Sequence, residues 1–161
     1  GGADSWWDVP RAIWARIDVG LGKNVVVVVA HPPPGRFCTR YTFPRGCYNT
    51  SVRDQQLQGI NAAVQPFLKA GDALIMVGDF NVTEREPAYK ELSAGLVDAY
   101  HTVGTGTGTT WRPTSLMSRD FALLRLDYQF SSPNITPLAS RVDCTPRGSD
   151  QCIVAGEFEV R

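Results

Sequence analysis

Three polar residues follow closely on apolar stretches of this chain. Asp79 and Asn81 come after the apolar run at residues 73–77. Only one residue separates Asp79 from Asn81, so strand alternation points both side chains to the same side. A carboxylate beside a carboxamide can hold a phosphate oxygen, a metal-bound water or both, although Asp and Asn also favour plain turns. His31 ends the run at residues 25–30 and can donate to a phosphate oxygen or orient a base, unless it is simply an edge residue.

Two further carboxylates lie beside later apolar stretches. Asp127 falls within RLDYQF at residues 125–130, where a charge in mid-strand has to be exposed or paired. Arg125 shares its face, so a structural ion pair is one interpretation. Asp150 and Gln151 precede the last apolar stretch, where a turn is the plain alternative. Open sheets place their sites outside strand ends, and the recurrence of polar residues there indicates one common site.

The elements that must position these residues can be predicted from hydrophobic periodicity. We predict a long helix that is capped by Ser51 and has an apolar face, with Pro66 kinking or ending it. We also predict a short helix at residues 87–95 and strands at residues 12–19, 25–30, 73–77, 124–130, 135–142 and 152–160. Helices alternate with strands early and strands dominate late, which predicts an α/β sandwich with mixed β-sheets.

The composition excludes several classes of protein. The chain has 161 residues, enough for one domain with a sizeable core. It is 43% apolar and 20% charged, which is not the composition of a disordered chain. Sixteen basic residues balance sixteen acidic ones, so sequence-blind electrostatic binding to nucleic acid or anionic membrane is excluded as its main role. A compact phosphate site is not excluded.

The four cysteines form two close pairs in the sequence, Cys38 with Cys47 and Cys144 with Cys152. Two local disulfides and four reduced thiols both fit this spacing. Disulfides would indicate an extracytoplasmic or secreted location. Neither pair has the C-x2–4-C spacing of a zinc site.

The order of the motifs resembles the endonuclease/exonuclease/phosphatase superfamily, the DNase I-like proteins. GDFN at residues 78–81 is the most specific match, and RLDYQF at residues 125–130, GTTWRP at residues 108–113 and Ser149-Asp150 support it. The resemblance implies a DNase I-like α/β sandwich and metal-dependent hydrolysis of a phosphodiester or phosphomonoester by activated water. The cofactor would be a magnesium or manganese ion.

The resemblance implies a role for each matching residue. Asp79 would orient or activate the attacking water, and Asn81 would bind the scissile phosphate. His31 would stabilise the negative charge of the phosphate. Asp150, together with Asp79, would hold the divalent metal. Asp127 would orient the histidine that normally follows Ser-Asp in this family.

The chain departs from the family pattern in two ways. Gln151 stands where the family has that histidine, and a carboxamide cannot take up a proton near neutral pH. We expect residues 12–161 to be the C-terminal part of the family's domain and residues 1–11 a lead segment, with the N-terminal half and its metal-binding Glu lying outside this sequence. We therefore expect an impaired phosphoesterase. The alternative is a non-catalytic binding or assembly subunit, including a binder of small molecules or lipid headgroups.

The substrate and partners follow less directly from the sequence. Arg36, Arg40 and Arg45 lie in the loop after His31 and could bind substrate phosphate, although a merely solvated loop fits equally. The substrate would be a phosphate ester of a small molecule, lipid headgroup or nucleic acid. We expect the valines at residues 25–29 to be partly uncovered, so that another chain or a further segment of this one covers them. Membrane attachment would have to come from such a further segment.

Overall fold

The computed structural model describes residues 11–37, 47–113, 122–145 and 148–160. Its helices are α1 (Ser51–Ala70), α2 (Pro87–Leu92) and α3 (Ala99–Val103). Its strands are β1 (Ala12–Gly20), β2 (Lys23–Ala30), β3 (Arg36–Phe37), β4 (Tyr48–Asn49), β5 (Leu74–Asp79), β6 (Val97–Asp98), β7 (Asp127–Ser131), β8 (Ile135–Asp143) and β9 (Ile153–Val160).

The central sheet has five strands in the order β1-β2-β5-β7-β6. Strands β2 and β5 are parallel and connected through α1, whereas the other neighbours are antiparallel. The registers align Ala30 with Gly78 and Asp79 with Asp127. The ends of β2 and β5 and the start of β7 therefore meet at one edge of the sheet. Separate two-stranded sheets are formed by β3-β4 and by β8-β9.

One face of the central sheet is covered by α1. Leu57, Ile60 and Val64 recur at helical spacing and are buried against alternate residues of β2, among them Val26 and Val28. This packing explains the apolar residues at alternate positions of β2, because successive side chains of a strand point to opposite faces of the sheet.

The other face is only partly covered. The β8-β9 hairpin packs over β7, where the buried side chain of Gln129 accepts a hydrogen bond from the hydroxyl of Ser140 at 2.9 Å. At the β1-β2 end, Ile13, Ile17 and Val29 remain 74%, 45% and 45% exposed. We call these three residues the open apolar face.

The expectation of uncovered valines is therefore only partly right. Val29 is exposed, but Val25, Val26 and Val28 are buried. The exposed surface lies mostly on β1, whose apolar side chains the sequence pattern did not single out.

Several predicted elements differ in their bounds. Strand β7 starts at Asp127 rather than at residue 124, because the preceding carbonyls face the neighbouring loops: that of Leu126 accepts from Phe80 N–H at 2.9 Å. The N-cap position of α1 is Thr50 rather than the predicted Ser51, without a capping hydrogen bond from its side chain, and Pro66 does not end the helix. Strand β6 and helix α3 were not predicted, since both are too short for a periodic signal.

Cys144 and Cys152 form a disulfide, which confirms that predicted pair. Cys38 lies outside the described residues, so the other predicted pair is not described. In the described part of the chain, no helix combines the length and the apolarity needed to cross a membrane.

Candidate active site

Three of the predicted site residues converge on the carboxylate of Asp79 at the end of β5. Its Oδ1 accepts the backbone N–H of Asn81 at 2.8 Å, and its Oδ2 accepts the side-chain amide of Gln151 at 3.0 Å. Nε2 of His31 lies 3.9 Å from Oδ2. Burial raises the pKa of Asp79, against the hydrogen bond from Asn81 and the attraction of His31. The site thus has a partly desolvated carboxylate at its centre.

Gly78 lets this arrangement form. A Cβ atom on Gly78 would lie 1.9 Å from the carbonyl oxygen of Ala30, and the residue has a φ of 147°. Only glycine permits both this backbone approach and this conformation. The approach of β5 to β2 places Asp79 beside His31.

Asn81 adopts a left-handed backbone conformation, with φ at 51°. Its side-chain amide donates to the carbonyl of Pro32 at 2.9 Å, and its own carbonyl accepts from Arg53 at 2.8 Å. A strained residue of this kind persists only where its surroundings hold it from several sides. These contacts link the turn after β5 to the end of β2 and to α1.

Asp127 lies opposite Asp79 in the antiparallel register. Burial raises its pKa to about 6, against a hydrogen bond from Thr110 and with a further contribution from the negative charges of Asp79 and Asp150. Its Oδ2 and the Oε1 of Gln151 are both buried, and neither has a hydrogen-bond partner among the described residues. The sequence predicts that Asp127 orients the family's histidine. Position 151 holds glutamine instead, so Asp127 has no histidine to orient in this chain.

The alternative interpretation of Asp127, an ion pair with Arg125, is wrong. Arg125 pairs instead with Glu84 at 2.5 Å and with Asp98. Because β7 begins only at Asp127, the alternation that would place Arg125 on the same face does not extend back to it.

Asp150 and Gln151 belong to the segment that the Cys144–Cys152 disulfide closes. Arg112 is 3% exposed and holds this segment by donating to the carbonyls of Cys144 and Ser149, both at 2.9 Å. Its backbone N–H bonds the carbonyl of Asp150 at 2.8 Å.

The side chain of Asp150 accepts from the indole N–H of Trp111 at 3.3 Å. The sequence motif GTTWRP therefore supplies two residues that fix Asp150, one through its backbone and one through its carboxylate. Sequence reasoning missed this function of the motif, because both contacts join residues almost 40 positions apart.

Of the three arginines predicted to bind substrate, only Arg36 lies among the described residues. Arg36 is exposed on β3 and lines a pocket of about 270 Å³ with Pro33, Pro34 and Asn49. Arg40 and Arg45 lie outside the described residues.

Sequence reasoning also missed Arg53. It lies one helical turn before Leu57 on the buried face of α1, and it is 2% exposed. The signal in the sequence was a charged residue at a position where the helical stripe is otherwise apolar.

The chain belongs to the endonuclease/exonuclease/phosphatase family, whose model matches residues 6–150. A 3′ phosphatase from Neisseria, NExo, bound to a product DNA hairpin, is 21% identical with a TM-score of 0.72, over 98% of this chain and 69% of that one. The catalytic domain of APE2 from Xenopus laevis is 16% identical with a TM-score of 0.67, over 91% and 54%. A family member from Bacteroides vulgatus is 20% identical with a TM-score of 0.66, over 93% and 55%.

The family model confirms the predicted family, and the structural likenesses confirm the DNase I-like mixed α/β fold. The chain spans little more than half the length of most of these structures. No curated protein matches its sequence. That residues 12–161 are the C-terminal part of a larger domain stays a prediction.

The family is generally metal-dependent, so the carboxylates of Asp79 and Asp150 would have to be available as ligands of a metal ion. Both oxygens of Asp79 accept hydrogen bonds from N–H groups, and one oxygen of Asp150 accepts another. Within the described ranges no cluster of three or more His, Cys, Asp or Glu residues could hold a metal ion. The described residues alone therefore do not fit a complete metal site.

Proposed function

We propose that this chain carries part of the site of a phosphoesterase that cleaves a phosphate ester with an activated water. A phosphoesterase-type domain follows from membership of the family. The observation that supports this site is the convergence of Asn81, His31 and Gln151 on the partly buried carboxylate of Asp79.

Each residue has a chemical reason for its proposed role. Asp79 would orient the water and accept its proton, and its raised pKa makes it a better base. His31, with its side chain 67% exposed, would donate to a phosphate oxygen, as would the carboxamide of Asn81. Arg36 would bind a more distant part of the substrate from the neighbouring pocket.

We propose magnesium or manganese as the cofactor, with Asp150 and Asp79 as ligands from this chain. Magnesium is usually held by one or two protein carboxylates together with substrate oxygens and water. Further ligands would have to come from outside the described residues. Equilibrium dialysis with Mn²⁺ would test this: we expect weak binding that Asp150→Asn abolishes, and unchanged binding by that variant would contradict it.

We further propose that catalysis by this chain is impaired. Gln151 donates a fixed amide hydrogen to the oxygen of Asp79 that a water would otherwise approach. A carboxamide cannot carry the proton that a histidine would, and losing such a group costs about 10²- to 10⁴-fold in rate. The same contact favours the alternative function, a non-catalytic binding or assembly subunit that keeps the phosphate cradle.

The test compares Mn²⁺-dependent hydrolysis of bis-p-nitrophenyl phosphate and p-nitrophenyl phosphate by the unaltered chain and by Gln151→His. We expect little turnover by the unaltered chain and a gain of at least about tenfold in the variant. The double variant Gln151→His, Asp79→Asn is the control and should return to background. Robust turnover by the unaltered chain would contradict the impairment.

If Gln151→His gains nothing but both forms bind inorganic phosphate, the non-catalytic alternative is supported. If neither form binds phosphate or hydrolyses an ester, the site assignment fails. Phosphate binding can be followed by ³¹P line broadening.

We propose that the open apolar face is covered by another chain or by a further segment of this one. Ile13 lies opposite Val29 in the strand register and Ile17 lies on the same face, so these exposed apolar side chains form one patch rather than scattered single residues. Light scattering should show concentration-dependent association of this chain that Ile13→Lys weakens. A strictly monomeric chain at all concentrations would contradict covering by a second copy.

We propose an oxidising, extracytoplasmic location on the strength of the Cys144–Cys152 disulfide. Thiol alkylation of the protein from its native compartment should leave these cysteines unmodified. Full modification there without reductant would contradict the proposal.

A further inference from the structure

Arg53 is a charged residue on the buried face of α1. It shares the helical stripe of Leu57, Ile60 and Val64, and it is only 2% exposed. A guanidinium in such a place is costly unless every donor finds an acceptor. The acceptors of its hydrogen bonds therefore indicate the role of Arg53.

The guanidinium of Arg53 donates hydrogen bonds to three different residues. Nη1 donates to the backbone carbonyl of Asn81 at 2.8 Å. Nη2 donates to Glu86 at 2.5 Å, and Nε donates to Asp54 at 2.9 Å. The two carboxylates balance the buried charge and fix the plane of the guanidinium, so that one edge of it faces Asn81.

Glu86 extends this contact to the other end of the same turn. Its Oε1 accepts the backbone N–H of Thr83 at 2.8 Å and the hydroxyl of Thr83 at 3.1 Å, while its Oε2 holds Arg53. Arg53 and Glu86 therefore bind the turn at residues 81–83 from both sides. We call this pair the Arg53–Glu86 brace.

The turn that the brace holds is strained. Asn81 has a positive φ of 51°, which costs free energy in a residue other than glycine. In that conformation its N–H reaches Asp79 at 2.8 Å and its side-chain amide reaches Pro32 at 2.9 Å. Relaxation of φ would rotate the carbonyl and the side chain of Asn81 relative to its N–H, so the contacts with Arg53, Asp79 and Pro32 would no longer all be kept.

We propose that Arg53 is a positioning residue that holds Asn81 in its left-handed conformation and thereby orients the Asn81 carboxamide and the Asp79 carboxylate. The orientation toward a phosphate ester rests on the proposed function. The restraint on Asn81 itself does not. Arg53 touches no reacting group and acts only through the turn.

Residue-resolved amide hydrogen exchange tests the restraint, using Arg53→Met and Arg53→Lys. Arg16→Met is the matched control, because Arg16 also pairs with a carboxylate, Asp72, at 3.0 Å, but with its side chain 45% exposed on the surface. In Arg53→Met we expect the N–H groups of Asn81 and Thr83 to exchange at least about tenfold faster, with much smaller changes in β5.

Arg53→Lys should give an intermediate acceleration, since one ammonium cannot satisfy all three directions. Arg16→Met should change neither group. An equal change at Asn81 and throughout β5 would mean general destabilisation and would overturn the inference, as would no change at Asn81. If Arg53→Met does not fold, Arg53→Lys and Glu86→Gln carry the same comparison.

Binding of inorganic phosphate separates this inference from the proposed function. If the unaltered chain binds phosphate, Arg53→Lys should weaken the affinity about tenfold while Arg16→Met leaves it unchanged. Absence of phosphate binding in the unaltered chain would count against the proposed function alone, and hydrogen exchange would still decide the role of Arg53. Unchanged phosphate affinity in Arg53→Lys, with faster exchange at Asn81, would overturn the orienting role and leave only the restraint.

Discussion

The two sides of the candidate site are held by different means. On the sheet side, Asp79 and His31 take their places from the register of β5 and β2, and Asn81 is held by a buried arginine. On the loop side, Asp150 and Gln151 lie in a segment that a disulfide closes and Arg112 fastens through backbone carbonyls. We therefore expect the sheet side to depend on the core of the domain and the loop side to loosen without unfolding it.

The largest expected effect is on the sheet side, with Gly78→Ala. The added Cβ would lie 1.9 Å from the carbonyl of Ala30 on a backbone with φ of 147°, so we expect a loss of more than about 4 kcal/mol in unfolding free energy. Gly71→Ala is the control, because φ is 75° but nothing lies within 4 Å; it should cost only about 1–2 kcal/mol. Urea unfolding of both variants provides the measurement, and equal losses would contradict the steric argument.

The next effect concerns the loop side. Replacing Cys144 and Cys152 by serine removes a crosslink between residues 8 apart, and we expect a loss of about 2–3 kcal/mol in unfolding free energy. Amide exchange should accelerate at Gln151 and not at Asn81. The unaltered chain under reductant should behave in the same way. Equal acceleration at both positions would show that the two sides are not independent.

A smaller effect is expected from Asp127, where the two sides meet. Its pKa is raised from the ordinary 3.8 to about 6 by burial, so the folded chain binds this proton more tightly than the unfolded chain. Its contribution to stability is fully present below pH 3.8 and is lost as the pH rises through about 6. Asp127→Asn should therefore stabilise the chain above pH 6, by about 1–2 kcal/mol after allowance for partial exposure, and should add little near pH 4.

Chemical denaturation across this pH range measures the difference between Asp127→Asn and the unaltered chain. Asp18→Asn, at an exposed position in β1, controls for the loss of one negative charge. A stability difference that shrinks with rising pH would reverse the sign and contradict the assignment.

The smallest expected effect is on the loop side, with Trp111→Phe. The variant loses the indole N–H that donates to Asp150 at 3.3 Å in a solvent-exposed contact, so we expect a loss below about 1 kcal/mol. The chemical shift of the Asp150 amide should move while that of Asn81 stays. A shift at Asn81 of similar size would show that the hydrogen bond from Gln151 to Asp79 transmits the change to the sheet side.

Local patterns were enough to predict the family and most of the framework. GDFN, RLDYQF and GTTWRP are contiguous motifs, and the long apolar runs and the stripe of α1 are periodic over many residues. The pair Cys144 and Cys152 was visible from its spacing. The predictions failed where a signal was short, as for β6 and α3, or where it depended on partners distant in sequence, as for Arg125.

The sequence by itself determined which chemical groups are present: the carboxylate at the end of β5, the carboxamide after it, the histidine after β2, and glutamine in place of histidine at position 151. Only the tertiary structure decided that Gln151 bonds Asp79, that Asp127 is left with a raised pKa, and that Arg53 holds Asn81. Local propensity acts over a few residues, whereas these contacts join positions up to 72 residues apart. Their geometry depends on strand register and burial, which arise only when the whole sheet is assembled.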